Sequence, residues 1–297
     1  MAAIVMKQLL LLVLGMSLFA PLCSYPQQTT IQLQGPDTLI LLGQKLGQLY
    51  QRNHPSVTLR VHGGGVHATL PSLTSGEIDI AQGHGMLGAA NARDLLAVPV
   101  GAEGIVLYVH ESNPIRELTV AQVRAIYTGQ ILNWKQLGGL EERILLYGGE
   151  STSGIVPFFA DAVLRGEDSL GYEGKTSTKD LLDVISRRTN AIGFAGAGFA
   201  PHVKALRIRS SPGTTAVEPT IANIRSLQYP ISRHIYWYLA RKPQGALRDL
   251  CEWILSSEGQ LVVEGVGFQP LAPEERSAGL RKLGLTPNPQ SGSTSSR

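Results

Sequence analysis

Residues 144–154, ILLYGGESTSG, run from an apolar stretch into three hydroxyl side chains, Ser151, Thr152 and Ser153, and then through Gly154 into a second apolar stretch. A strand that enters a helix through such a turn leaves backbone N–H groups and hydroxyls at the positive end of the helix, which is a ready site for an anion. The same turn is also what an ordinary helix N-cap looks like, and the local pattern does not separate the two readings. Covalent catalysis fits it poorly. A hydrolase nucleophile elbow needs G-x-S-x-G, and after Gly149 and Ser151 it is Ser153 that stands where the second glycine would be. No acid and base partner for a nucleophile is identifiable either.

Two further turns have the same character. Thr38 follows Gly35-Pro36-Asp37 at the start of an apolar-periodic stretch, and Gly63-Gly64-Gly65 joins a strand-like run ending at His62 to Val66 and His67. Triple glycine lets a backbone approach a ligand closely, serves equally as a flexible turn, and matches neither G-x-G-x-x-G nor the P-loop. Together the three turns could bring several helix ends and hydroxyls around one small anion.

The elements that would hold these turns are short. β-Rich runs at 57–62, 78–81, 95–100, 105–110, 144–147, 191–194 and 203–208 alternate with amphipathic stretches. Leu39, Leu42, Leu46, Leu49 and Tyr50 recur at helical spacing, with Asp37 or Thr38 as the cap and His54-Pro55 as the stop. Thr119 caps a second helix that ends at Gly129, and further helices are expected over 155–164, 179–187 and 244–263, the last broken near Gly259. The alternation predicts an α/β architecture with largely parallel sheets. Trp134, Trp237 and Trp253 are expected in the core, Asp79 in a structural hydrogen bond, and Arg187-Arg188 at an exposed helix end.

The chain has 297 residues, with 26 Lys and Arg against 23 Asp and Glu, a net charge of +3, and 43% hydrophobic residues. That length favours two domains or one large one. The near balance of charge, with no dense basic stretch, weighs against a nucleic-acid partner. Two cysteines, Cys23 and Cys251, exclude a disulfide framework and a cysteine zinc cluster, and no cofactor or metal is expected. Lys7 and the apolar run at 9–22 are short for a spanning helix of about 20 residues and read as a cleaved signal peptide over residues 1–24. Cys251 is then a small hydrophobe in a helix. Pro, Asn, Gly and Ser dominate residues 286–297, which are expected to form a disordered tail.

Taken in order, Asp37-Thr38-Leu39, Gly63-Gly64-Gly65, GEIDIA at 76–81 and residues 147–154 resemble the periplasmic phosphate-binding proteins of bacterial ABC phosphate transport systems, in the PBP-like domain superfamily. Similar too are LTVAQVRAIYTG at 118–129 with Asn133-Trp134, AIGF at 191–194, YPISR at 229–233, KPQG at 242–245, LSSEGQ at 255–260 and GFQPL at 267–271. The resemblance spans roughly residues 31–271. It implies a type II periplasmic binding protein, an α/β fold of two lobes joined by a two-crossover hinge. The solute-binding domain would cover 28–275, with one lobe at 28–107 and 232–275, the other at 108–231, and the ligand between them.

Carried over residue by residue, the resemblance implies that Thr38 and the backbone of Leu39 hold the anion in the first lobe, and Ser153 and Gly154, with Ser151 and Thr152 beside them, in the second. Other family positions differ here: Val66 replaces a serine, His84 an acidic residue or arginine, Ile155 a threonine, and Gly149 an arginine. A hydrogen bond to a charged group contributes about 1.5–3 kcal/mol, so loss of the arginine alone would weaken binding roughly ten- to a hundred-fold. His84, with His62 and His67 in the same lobe, is the candidate for replacing that charge, and protonation would then make binding pH-dependent. The expected function is an exported, periplasmic, monomeric and non-enzymatic protein that captures a small oxyanion, phosphate first, for an inner-membrane ABC permease. A ligand-poor relative acting as a sensory or protein-interaction module, and a secreted phosphatase-like enzyme, are the alternatives.

Overall fold

A computed structural model describes residues 28–64, 66–85, 94–150 and 154–285, with the backbone alone at 66–68. The expected signal and tail lie outside the described residues, as do Ser151, Thr152 and Ser153. Strand β1, Thr29–Gln34, turns Ile31 and Leu33 inward. A 3-10 turn, Asp37–Leu39, passes straight into helix α1, Ile40–Asn53, whose buried face is Leu42, Leu46 and Tyr50 and whose end is His54. Gly43 and Gly47 let α1 lie close on strand β2, Val57–His62, since a Cβ at 43 would come within 2.9 Å of Val61 and one at 47 within 3.1 Å of Leu59. Helix α2, Val66–Ser75, and strands β3, Ile80–His84, β4, Leu96–Gly104, and β5, Val106–His110, follow.

Strand β6, Glu117–Thr119, delivers the cap of helix α3, Val120–Tyr127. Thr119 accepts from the Gln122 amide and donates its own amide to the Gln122 side chain, a reciprocal pairing that satisfies two orphan donors. Next come β7, Leu145–Gly149, and α4, Ile155–Phe159, which continues as a π-helical turn, Ala160–Leu164. They are followed by β8, Glu173–Lys175, α5, Thr178–Ile185, β9, Ala191–Ala195, β10, Val203–Ala205, β11, Arg207–Arg209, and α6, Ile221–Arg225. Strand β12, Ser232–Leu239, and helices α7, Gly245–Ile254, α8, Ser257–Gly265, and α9, Pro273–Lys282, complete the fold.

Among the described residues two five-stranded sheets result, ordered β2-β1-β3-β12-β4 and β10-β5-β9-β7-β8, with β11 and β6 paired apart. Each sheet has its own core. Trp237, Trp253 and Cys251 pack in the first, and Trp134 and the stacked Phe159 and Phe194 in the second. The chain crosses from the first sheet to the second between Gly104 and Val106 and returns before Ser232. The two passages lie side by side, with the Ile105 amide donating to the Ile231 carbonyl at 2.9 Å.

The sheets are mixed rather than largely parallel. β12 runs antiparallel to both β3 and β4, and β5 antiparallel to β9 and β10, because each of these strands carries the chain across between the sheets. The expected strand at 203–208 splits at Leu206 into β10 and β11, which belong to different sheets. The expected break at Gly259 falls instead at Leu255 and Ser256, where Ser256 Oγ accepts from the Gly259 amide and caps α8. Gly259 serves packing, since a Cβ there would lie 2.3 Å from the Trp253 carbonyl oxygen.

Candidate functional site

β1, β3 and β4 share one direction, so their carboxyl ends and the start of antiparallel β12 lie along one edge of the first sheet. In α/β sheets that edge is where ligands bind. The turn after β1 brings Thr38 there. Neither Asp37 nor Thr38 caps a helix through its side chain, contrary to the expectation from sequence, because the Thr38 hydroxyl lies 2.7 Å from His84 Nε2 at the end of β3. Gln82 holds this turn in place, with Nε2 donating to the Leu39 carbonyl at 3.0 Å while its Oε1 accepts from Trp237 Nε1.

Behind His84, its Nδ1 sits 2.6 Å from Glu103 Oε1 on β4, and Arg233 Nε on β12 donates to the same oxygen at 2.6 Å. The His84 contact is close but bent away from a straight hydrogen bond, and Nδ1 has no other polar partner. Burial by itself would raise the Glu103 carboxyl pKa, but the contacts with His84 and Arg233 outweigh it and hold the group below its ordinary value, so it is ionised at neutral pH. The Arg233 guanidinium stacks over the Phe158 ring of α4 at 3.8 Å, joining the first sheet to the second core.

The opposite wall comes from the second sheet: Gly154 and Ile155 at the start of α4, Thr178 at the start of α5, and Gly196 and Ala197 after β9. Tyr108 fixes that last loop, since its hydroxyl donates to the Gly196 carbonyl at 2.9 Å and accepts from the Gly198 amide at 2.8 Å. The walls enclose a cavity of about 290 Å³, at the small end of ligand sites. Thr38 and Gly154 nearly touch across it, because a Cβ built on Gly154 would lie 3.0 Å from that of Thr38.

A family model described as a PBP superfamily domain matches residues 24–258. The chain belongs to the PBP superfamily. Among relatives of this PBP chain, the phosphate-binding protein PstS of Pseudomonas aeruginosa is 26% identical in an alignment 277 positions long, gaps included, that covers 84% of this chain and 86% of that protein. The solved structure of a possible phosphate binding protein from Planctomyces limnophilus is 22% identical, with a TM-score of 0.77 over 86% of this chain and 98% of that one. An ABC-type phosphate transport receptor from Vibrio cholerae is 23% identical, with a TM-score of 0.69 over 82% and 100%. The mixed sheets and paired crossovers are those of a type II PBP fold.

Within this PBP cleft, Thr38, His84 and Gly154 line the cavity together, as does Ile155. Leu39 does not line it: its side chain is fully buried and its amide already donates to the Pro36 carbonyl at 2.8 Å. Val66 and His67 begin α2, and nothing is described of their side chains. His62, expected beside the cleft, is exposed on β2 with Nε2 2.9 Å from Gln32 Oε1 and does not line the cavity. Asp79 accepts from the Gln32 amide at 2.8 Å, the structural role expected of it.

Glu103, Arg233, Gln82 and Thr178 belong to the site and were not singled out from sequence. Arg233 stood within the YPISR stretch, a signal that carried no role by itself. Among the described residues no group of three or more His, Cys, Asp or Glu is placed to hold a metal ion, and no helix is long and apolar enough to cross a membrane.

Proposed function

We propose that this chain is an exported solute-binding protein that captures a small oxyanion, phosphate first, in the cleft between its two sheets. It would deliver the anion to an inner-membrane ABC permease, as a monomer and without covalent chemistry. The observation that carries this reading is the meeting of Thr38, His84 and Gly154, drawn from three separate stretches, at one cavity of about 290 Å³ walled by both sheets. The names of the similar proteins from P. aeruginosa and V. cholerae support phosphate as the ligand and a phosphate transporter as the setting. In this reading the segments that carry the first sheet and its core, 28–104 and 232–285, act as one lobe and 106–231 as the other, so the boundary expected at 107 moves to the crossover at Ile105, and the lobes close on the anion about the paired passages at Ile105 and Ile231. Ser151, Thr152 and Ser153, with Val66 and His67, are the further residues proposed to contact the anion.

One observation favours a second reading. Glu103 lines the cavity as a carboxylate, and Arg233 is engaged with it, so the fixed charges near the anion are balanced. A ligand-poor sensory or protein-interaction relative would tolerate that balance. Calorimetry with phosphate, sulfate and molybdate separates the two: the proposal expects micromolar or tighter phosphate binding, and millimolar or absent binding of all three anions would overturn it.

A further inference from the structure

We infer that the outer edge of the second sheet, at β10, is a docking site for an extended, acidic segment of another protein, which adds to that edge as a strand and sets its carboxylates against Arg116, Lys204 and Arg207. This surface shares no residue with the cleft cavity and does not depend on the ligand held there.

β10 is the last strand of its sheet, with β5 as its one neighbour among the described residues. The antiparallel register sets Lys204 opposite Val109, flanked by Val203 opposite His110 and Ala205 opposite Tyr108. At the two ends of this stretch the Glu111 amide donates to the His202 carbonyl at 2.9 Å and the Leu206 amide to the Leu107 carbonyl at 2.8 Å. Bonded pairs alternate along an antiparallel ladder, so Lys204 is the bonded residue between them and turns its main chain to β5. The N–H and C=O groups of Val203 and Ala205 therefore point away from the sheet. Ala205 is exposed and lines a cavity of about 500 Å³ on that side. Outward N–H and C=O groups on an edge strand are what an added strand pairs with.

The side chains around the cavity decide the chemistry of that strand. Arg116, Lys204 and Arg207 line it, with Glu218 as the one carboxylate among the described lining residues. Arg116 is exposed and has no ion pair among the described residues. Lys204 donates to the Asn113 carbonyl, and partial burial and then the Arg116 charge push its ammonium below its ordinary value. Arg207 has only a share of Glu117, at 3.0 Å, because Arg209 holds the same carboxylate at 2.5 Å. Two cations that repel each other at an edge oppose a basic strand, and they oppose a second copy of β10, which would bring its own Lys204. Glutamate or aspartate on the incoming strand relieves that repulsion, and Arg116 and Arg207 offer planar forks that match carboxylates. Alternate residues of a strand share a face, so acidic side chains at every second position meet the cavity together.

The test is a nitrogen-15 NMR titration of the wild-type protein with a short blocked peptide that alternates Glu with Val. Alongside it run the same peptide with Lys for Glu, the Glu peptide N-methylated on its pairing amides, and tripolyphosphate. The Glu peptide should bind with a submillimolar Kd, shift the Lys204 and Ala205 amide signals and slow hydrogen exchange at Ala205. N-methylation should weaken it roughly tenfold or more, and so should Arg116→Glu, the size of one hydrogen bond to a charged group. No binding of the Glu peptide, equal binding of the Lys peptide, or full affinity in Arg116→Glu would overturn the inference. Equal binding of the N-methylated peptide would overturn it by leaving a charged patch without strand addition, and binding of tripolyphosphate alone by making the surface an inorganic anion site. A concentration-dependent dimer in sedimentation that Arg116→Glu abolishes would name a second copy as the occupant and overturn it as well. The peptide arms in the wild type decide the case even where Arg116→Glu does not fold.

Discussion

Glu103 and Arg233 are cross-strand partners on β4 and β12, and Arg233 Nε donates to Glu103 Oε1 at 2.6 Å with little of either side chain exposed. Removing one member of a buried ion pair leaves the other desolvated and unpaired, which costs about 3–5 kcal/mol. Glu103→Ala should lose about that much stability in urea unfolding at pH 7. The sign of the pH dependence follows from the lowered carboxyl pKa. Its contribution is fully present above the unfolded value, near 4.5, and is lost as pH falls through the lower folded value. Acidification below about pH 4.5 should therefore narrow the gap between wild type and Glu103→Ala. A gap that stays constant to pH 3 would show that Glu103 does not titrate as the ion pair requires.

Gly154 and Gly148 make a contrasting pair. A Cβ at Gly154 would press on Thr38 at 3.0 Å, and a side chain that moves by a few tenths of an ångström can relieve it. Gly154→Ala should therefore weaken phosphate binding roughly tenfold, about one hydrogen bond, with little loss of stability. A Cβ at Gly148 would come within 2.3 Å of the Phe194 ring and 2.7 Å of Tyr172, and Phe194 is itself stacked on Phe159. Gly148→Ala should cost about 1–3 kcal/mol by overpacking and leave the affinity of the folded protein unchanged. Thermal unfolding and titration of both variants check the pair, and equal affinity losses would contradict it.

Cys251 tests the first core. Burial among apolar side chains in α7 pushes its thiol up to about 12, so almost none is thiolate at pH 8. In protein carrying Cys23→Ser, a thiol reagent should label Cys251 only as fast as the fold opens, and the labelled fraction should follow the urea unfolding curve. Rapid labelling of the native protein would contradict the buried position.

What could be read from sequence divides along the range of the interactions involved. The Thr119 cap and the helical run at 155–164 are local events within a few residues, and periodicity and capping chemistry show them. Thr38 and Gly154 stood out because each lies in or beside a glycine or hydroxyl turn, and His84 because it stands where the resembling family has an acidic residue or arginine. Glu103 and Arg233 did not, because strand register alone joins residues 130 positions apart. β12 was hidden for a related reason: its first residues, Ser232 to His234, are polar for the sake of the site and the crossover, while Ile235 to Leu239 are all buried, so no period of two survives. The break before α8 was misplaced because a glycine inside a helical pattern reads as a breaker, whereas Gly259 is there to let α8 close on Trp253 and Ile254.

The central claim is that a phosphate-class anion occupies the cleft against Thr38. Calorimetric titration of phosphate into the wild-type protein and Thr38→Val at pH 8 tests it most directly, since valine keeps the shape and removes the hydroxyl. The account predicts micromolar or tighter binding in the wild type and a loss of roughly tenfold or more in Thr38→Val. Equal affinities for the two proteins, or no phosphate binding by the wild type, would contradict it.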